Sequence, residues 1–173
     1  MPEDRTVAVY AASSPAELDQ ARALFRAYVT WHRQRHLADH VLIDRYFGTT
    51  RFEQELAGLP GRYAPPAGRL LLAGSGGIAV GCAALRPFDD RSCEMKRMFV
   101  RPAAQGRGAG RALATELIRA ARAEGYTSMY LDTSMRQTEA LSLYRSLGFA
   151  VVEPYYQAPE GVRDWLIFMR LDL

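Results

Sequence analysis

Three glycines in five residues, Gly106, Gly108 and Gly110, stand between the apolar run Met98-Phe99-Val100 and the helix-forming stretch Ala112-Leu113-Ala114-Thr115-Glu116-Leu117. A strand, a glycine-rich turn and a helix start bring together backbone amides that have no partner within the helix. The peptide dipoles converge at the same point, so the chemistry such a pattern offers is the binding of a phosphate. Glycine removes the Cβ that would hold the anion away. Two familiar phosphate loops are excluded by the residues themselves. Arg111 stands where a dinucleotide fold needs its third glycine, and Gly110-Arg111-Ala112 lacks the lysine and hydroxyl of a P-loop.

Other reactive side chains give weaker patterns. His32, His36 and His40 recur every four residues, which places pairs of them on one helical face as a metal would need. Arg33 stands where a zinc-protease motif carries glutamate, and neither Arg33 nor Arg35 would welcome a cation. We therefore expect no metal there, and read the histidines as a solvated face or as the rim of an acceptor pocket. Cys82 and Cys93 lie in apolar, strand-like stretches with no histidine nearby in sequence, and are expected to be buried, reduced thiols.

These residues must be positioned by a regular α/β alternation. Residues 6–12 read as a strand, and Ser13-Ser14-Pro15 with Glu17 as a helix start. Leu18, Leu24, Phe25 and Tyr28 then recur at helical spacing over residues 16–38. A shorter helix is expected over 44–59, and a stiff, proline-rich connection over 62–68. Residues 69–73 and 78–85 flank a glycine turn and predict a hairpin. Residues 93–100 form the strand entering the glycine loop. After the loop come a helix ending near Gly125, a strand over 129–133 and a helix over 137–147 stopped by Gly148, then strands over 149–152 and 164–171. The helix between strands 93–100 and 129–133 makes that pair parallel. Strict alternation along 94–100 puts Glu94, Lys96, Met98 and Val100 on one face.

The length of 173 residues suits a single domain, 1–173, with a full core. A net charge of +3, from 22 basic and 19 acidic residues spread along the chain, gives no reason to expect nucleic acid. Lys96 is the only lysine. No apolar run approaches the ~20 residues of a membrane span, and the charged start Met1-Pro2-Glu3-Asp4-Arg5 leads into no signal-like stretch. No membrane partner and a cytoplasmic location are expected.

Gln105-Gly106-Arg107-Gly108-Ala109-Gly110 resembles the Gln/Arg-x-x-Gly-x-Gly/Ala signature of the GNAT superfamily of acyl-CoA-dependent N-acetyltransferases. Ala140-Leu141-Ser142-Leu143-Tyr144-Arg145-Ser146-Leu147-Gly148-Phe149 resembles that family's second signature at the expected distance. The similarity runs from about Leu70 to the C-terminus. It implies an α/β (α+β) acyl-CoA N-acyltransferase fold: a mixed, mostly antiparallel sheet of about seven strands, a splayed central parallel pair, and four or so helices. It implies acetyl-CoA as co-substrate, with the pantetheine arm along the backbone of Met98, Phe99 and Val100. The pyrophosphate would lie on the amides from Arg107 to Arg111, including Gly108, Ala109 and Gly110, with Gln105 supporting the loop at Gly106. Arg107 and Arg111 would add charge to the phosphates, or are exposed arginines at a helix start.

The resemblance further implies Tyr144, beside Ala140, as the acid facing the coenzyme sulfur, or as a packing residue. Glu94 matches the position of a general-base glutamate in some members; the alternative is an ion pair with Lys96. Gln137 stands where the second signature often has Asn. Asp132 and Thr133 end their strand near the gap, where they would bind acceptor or water, or cap the turn. The activity implied is direct acetyl transfer, in a ternary complex, to a small-molecule or amino-acid-like amine. A protein amine, an aminoglycoside, or a non-catalytic coenzyme-A-binding module of the same fold stays open. Homodimers are common in the family.

Overall fold

The computed structural model describes residues 7–173, so Thr6 of the expected first strand lies outside the described residues. Strand β1 (Ala8–Ala11) leads into helix α1 (Pro15–Arg35). Ser14 and Glu17 close the helix start reciprocally: the Glu17 amide donates to Ser14 Oγ at 3.3 Å and the Ser14 amide to Glu17 Oε2 at 2.8 Å. Such a capping box is worth about 1 kcal/mol. Helix α1 ends at Arg35, three residues earlier than its periodicity suggested, because His36 leaves helical backbone at φ −122°. A short 3₁₀ turn (Leu37–Asp39) follows. The single second helix expected over 44–59 is instead two, α2 (His40–Phe47) and α3 (Thr49–Ala57), broken by Gly48 at φ 62°.

Strands β2 (Arg69–Ser75) and β3 (Ile78–Pro87) form the hairpin, closed by Gly76 and Gly77 at φ 59° and 78°. This is the positive-φ geometry that matches strand twist in a two-residue turn. Strand β4 (Ser92–Val100) leads through the glycine loop into α4 (Ala109–Glu124), then β5 (Ser128–Ser134) and α5 (Thr138–Ser146). Strand β6 is reduced to Ala150–Val151; the Phe149 amide still bonds back to the Tyr144 carbonyl of α5 at 3.0 Å, and its ring packs on Tyr144 with centroids 5.9 Å apart. The last strand, β7, spans Leu166–Asp172, after a 3₁₀ turn (Arg163–Trp165) takes the first residues expected of it.

One seven-stranded sheet, in the order β1-β2-β3-β4-β5-β7-β6, carries all of this. Every neighbouring pair is antiparallel except β4 and β5. Helix α4 covers one face through Leu113 and Leu117 against Leu85 and Met95. Burying each of these leucines contributes about 2 kcal/mol. Helices α1 to α3 cover the other face, with Phe25, Ile43 and Leu56 against Leu72 and Cys82. Both cysteines are buried and unbridged, and burial pushes each thiol up to about 12. Among the described residues no helix is long and apolar enough to cross a membrane.

Candidate functional site

Strands β4 and β5 pair only at Ser92–Ser128, Cys93–Met129 and Glu94–Tyr130. Beyond Glu94 they part, leaving the second half of β4 with a neighbour on one side only, β3. The cause is local. Arg97 adopts φ 58°, a left-handed conformation costly for a side-chain-bearing residue, and two residues of β4 bulge opposite one of β3. Glu55 of α3 holds the Arg97 guanidinium in a fork, Nε–Oε1 3.0 Å and Nη2–Oε2 2.5 Å. The bulge also corrects the expected alternation. Met98 and Val100 pack on the α4 side, whereas Glu94 and Lys96 look toward α2 and α3, so the four residues do not share a face.

At the open end of the gap lies the glycine loop. Gln105 Nε2 donates to the Val100 carbonyl at 2.9 Å and ties the loop to the strand. Gly108 is the N-cap of α4 at φ 83°, with no side chain capping the helix, so the first amides of α4 have no partner within it. A Cβ at Gly108 would meet nothing within 4 Å, so glycine is needed there for its backbone angle. Gly106 is likewise at positive φ, and a Cβ at Gly110 would meet the Leu143 side chain of α5 at 3.6 Å, an ordinary contact. Arg107 is exposed, while Arg111 turns to α5 and donates to Ser146 Oγ at 2.7 Å.

A cavity of about 20 Å³ lies inside the gap, lined among others by Met98, Leu131, Thr133 and Tyr144. Tyr144 is buried, and burial pushes its hydroxyl well above the phenol range. Among the described residues that hydroxyl has no hydrogen-bond partner. Ala140 sits one turn before it on α5, partly buried. Gln137 precedes α5 and donates through Nε2 to the Tyr28 hydroxyl at 2.9 Å. Phe99 faces the opposite core from Met98, against Tyr28 and Trp31.

On the α2–α3 side a network of charges and phenols surrounds the point where the strands separate. The Glu94 side chain is 2% exposed; Arg86 grips its Oε1 (Nη2 2.6 Å, Nε 2.8 Å) and the Tyr155 hydroxyl donates to its Oε2 at 2.6 Å. The expected partner Lys96 stands farther off, at 4.0 Å. Lys96 Nζ lies 3.6 Å from Asp132 and donates to the Tyr46 hydroxyl at 3.0 Å. Asp132 accepts from the Tyr46 and Tyr156 hydroxyls. Burial first, then the Asp132 charge, pushes Tyr46, Tyr155 and Tyr156 upward, so all three stay neutral donors. Arg86 had a signal in the sequence that counting across the β3–β4 turn would have found, since it lies directly opposite Glu94 in the strand register. Tyr46 had none, because α2 reaches the network only through the folding of the chain.

This network forms the inner end of a cleft of about 1070 Å³ bounded by α3, residues 58–63 and residues 156–160. The histidines take no part in it. The solvated face expected of them is corrected at His32, which is 1% exposed and packs against Trp165 with ring centroids 5.4 Å apart. Burial lowers its pKa to about 4. Among the described residues no group of three or more His, Cys, Asp or Glu is gathered as for a metal.

The sequence model of the acetyltransferase (GNAT) family matches residues 37–149. An uncharacterized N-acetyltransferase of Schizosaccharomyces pombe is 34% identical over 175 residues, covering 100% of this chain and 99% of its own. The IAA acetyltransferase of Azospirillum brasilense is 35% identical over 153 residues, 84% of this chain and 98% of its own. Among solved structures, the PaiA N-acetyltransferase of Thermoplasma acidophilum in complex with coenzyme A superposes with a TM-score of 0.71 at 15% identity, covering 97% of this chain and 99% of its own.

Proposed function

The chain belongs to the acetyltransferase (GNAT) family and is an N-acetyltransferase of that type, and we propose that it moves an acetyl group from acetyl-CoA directly to the amine of a small molecule held in the same complex. The observation that carries this reading is the parting of β4 from β5 beside an uncapped helix start. The free edge of β4 at Met98, Phe99 and Val100 offers backbone groups to the amides of a pantetheine arm, as an added strand would. The amides from Arg107 to Arg111 offer the phosphate site, with the exposed Arg107 adding charge. The coenzyme-A complex of the PaiA relative supports the same use of the fold.

Acetyl-CoA supplies an activated acyl carbon: the amine nitrogen bonds to it as its bond to sulfur breaks, and the amine gives up a proton. Tyr144 lines the gap, and burial raises its pKa and keeps it protonated, so it offers the departing sulfur an O–H. Glu94 lines the cleft on the other side of β4, where Arg86 and Tyr155 fix its orientation. Its Oε2 retains a lone pair to take the amine proton by way of water in the cleft.

Calorimetric titration with acetyl-CoA, beside NADH and ATP, tests the reading, followed by detection of free thiol with an amine panel. Tyr144→Phe should bind acetyl-CoA as the native chain does and lose ~10²-fold in kcat. Binding of NADH or ATP in place of acetyl-CoA would remove the proposal, and undiminished turnover by Tyr144→Phe would remove the role of Tyr144.

A further inference from the structure

We infer that the acceptor amine carries a carboxylate, bound by Arg51 and Arg62 at the outer end of the cleft while the amine points inward to Glu94 and Lys96; this rests on the acetyl-transfer reading of the site. The cleft is far larger than a bare amine needs, and its charge is unevenly matched. Five cations line it, Arg51, Arg62, Arg86, Lys96 and Arg97, against Glu55, Glu94 and Glu160, with Asp132 behind Lys96 as a fourth carboxylate. The inner cations are all committed. Arg97 is forked to Glu55, Arg86 is clamped to Glu94, and Lys96 is shared between Asp132 and Glu94.

Arg51 and Arg62 are different. Among the described residues neither has a carboxylate within ion-pair distance. Each guanidinium is anchored by one backbone carbonyl, Arg51 Nη2 to Tyr46 at 3.1 Å and Arg62 Nη2 to Pro87 at 3.0 Å. One such bond leaves most of the N–H donors uncommitted, in the planar fork that a carboxylate fits. Glu160 is exposed at the lip and, among the described residues, is paired with neither. A polyamine would set a second ammonium against these arginines, at the cost of like-charge repulsion. An amino acid sets its carboxylate there, and Phe88, 40% exposed on the cleft wall, offers an apolar surface for its side chain.

The test uses the full chain at saturating acetyl-CoA with thiol detection. The acceptors are the common amino acids, the carboxamides and decarboxylated amines of phenylalanine and leucine, and spermidine. The best acids should exceed their own carboxamides at least about tenfold in kcat/KM. Arg51→Gln and Arg62→Gln should each lower kcat/KM for the acid by roughly tenfold, the loss expected for one charged hydrogen-bonded contact. Turnover of the carboxamide and the KM for acetyl-CoA should stay within about twofold. Carboxamides or spermidine used as well as the acids would overturn the inference, and so would variants that slow acid and carboxamide alike. Failure of the chain to bind acetyl-CoA in the calorimeter would be a different result: it would overturn the acetyl-transfer reading itself, and this inference with it.

Discussion

His32 should make the fold lose stability in mild acid. Its ring is enclosed by Tyr28, Trp165 and His36, with centroids 6.0, 5.4 and 4.9 Å away, and its Nδ1 has no hydrogen-bond partner among the described residues. A proton placed there would lack water, and burial therefore lowers the pKa from 6.5 to about 4. The unfolded chain takes up that proton as pH falls through about 6.5, whereas the folded chain resists until about 4. Stability is thus full above about pH 6.5 and declines below it. The gap of about 2.5, at about 1.36 kcal/mol for each, comes to about 3 kcal/mol by pH 4, with about 2 kcal/mol already lost at pH 5. Burial lowers His36 as well, which adds loss of the same sign. Against a typical total of about 5–15 kcal/mol this is a large fraction. Urea unfolding followed by tryptophan fluorescence at pH 7.5, 6 and 5 would measure it, since Trp31 and Trp165 both lie beside the ring. His32→Phe keeps an aromatic ring and carries no proton, and any packing cost it brings is the same at each pH. The native chain should lose about 2 kcal/mol more than His32→Phe between pH 7.5 and 5. Equal losses in the two proteins would refute the reasoning.

Two further outcomes follow from the backbone around the gap. Gly108→Ala meets no clash but forces an L-residue to φ 83°, so thermal unfolding should show about 1–2 kcal/mol of lost stability, and calorimetry a weaker acetyl-CoA affinity if the α4 amides are the phosphate site. Glu55→Gln leaves the Arg97 guanidinium, its side chain 9% exposed, without its carboxylate. Denaturant unfolding should then show a loss of about 2–3 kcal/mol, at or below the usual range for breaking a buried pair because Glu55 itself is 19% exposed.

Most elements and their order were legible in the sequence because each rests on local rules; the helix pair α2 and α3, read as one, was the exception. Ser14 and Glu17 announce α1, the Gly76–Gly77 pair sets the hairpin, and the helix between β4 and β5 makes that pair parallel. The two signatures at 105–110 and 140–149 were enough to indicate the family, since they join backbone geometry to a fixed order along the chain. Element ends were less legible where a single backbone angle decided them, as at His36 and Gly48.

Tertiary structure decided which side chains meet wherever the partners come from distant segments. The alternation rule put Glu94 and Met98 on one face, and it failed because the bulge at Arg97 is stabilised by Glu55, a residue 42 positions away that no local pattern connects to it. Likewise the sequence offered Lys96 as the partner of Glu94, but strand register brought Arg86 nearer, and the loop after β6 supplied Tyr155. His32 looked like one of three histidines on a wet face, yet the packing of Trp165 from the far end of the chain closed over it. Periodicity and motif can specify what a segment forms, because those preferences act within a few residues. Burial, ion pairing and the shape of a cleft depend on contacts between distant segments, and exist only once the chain has folded.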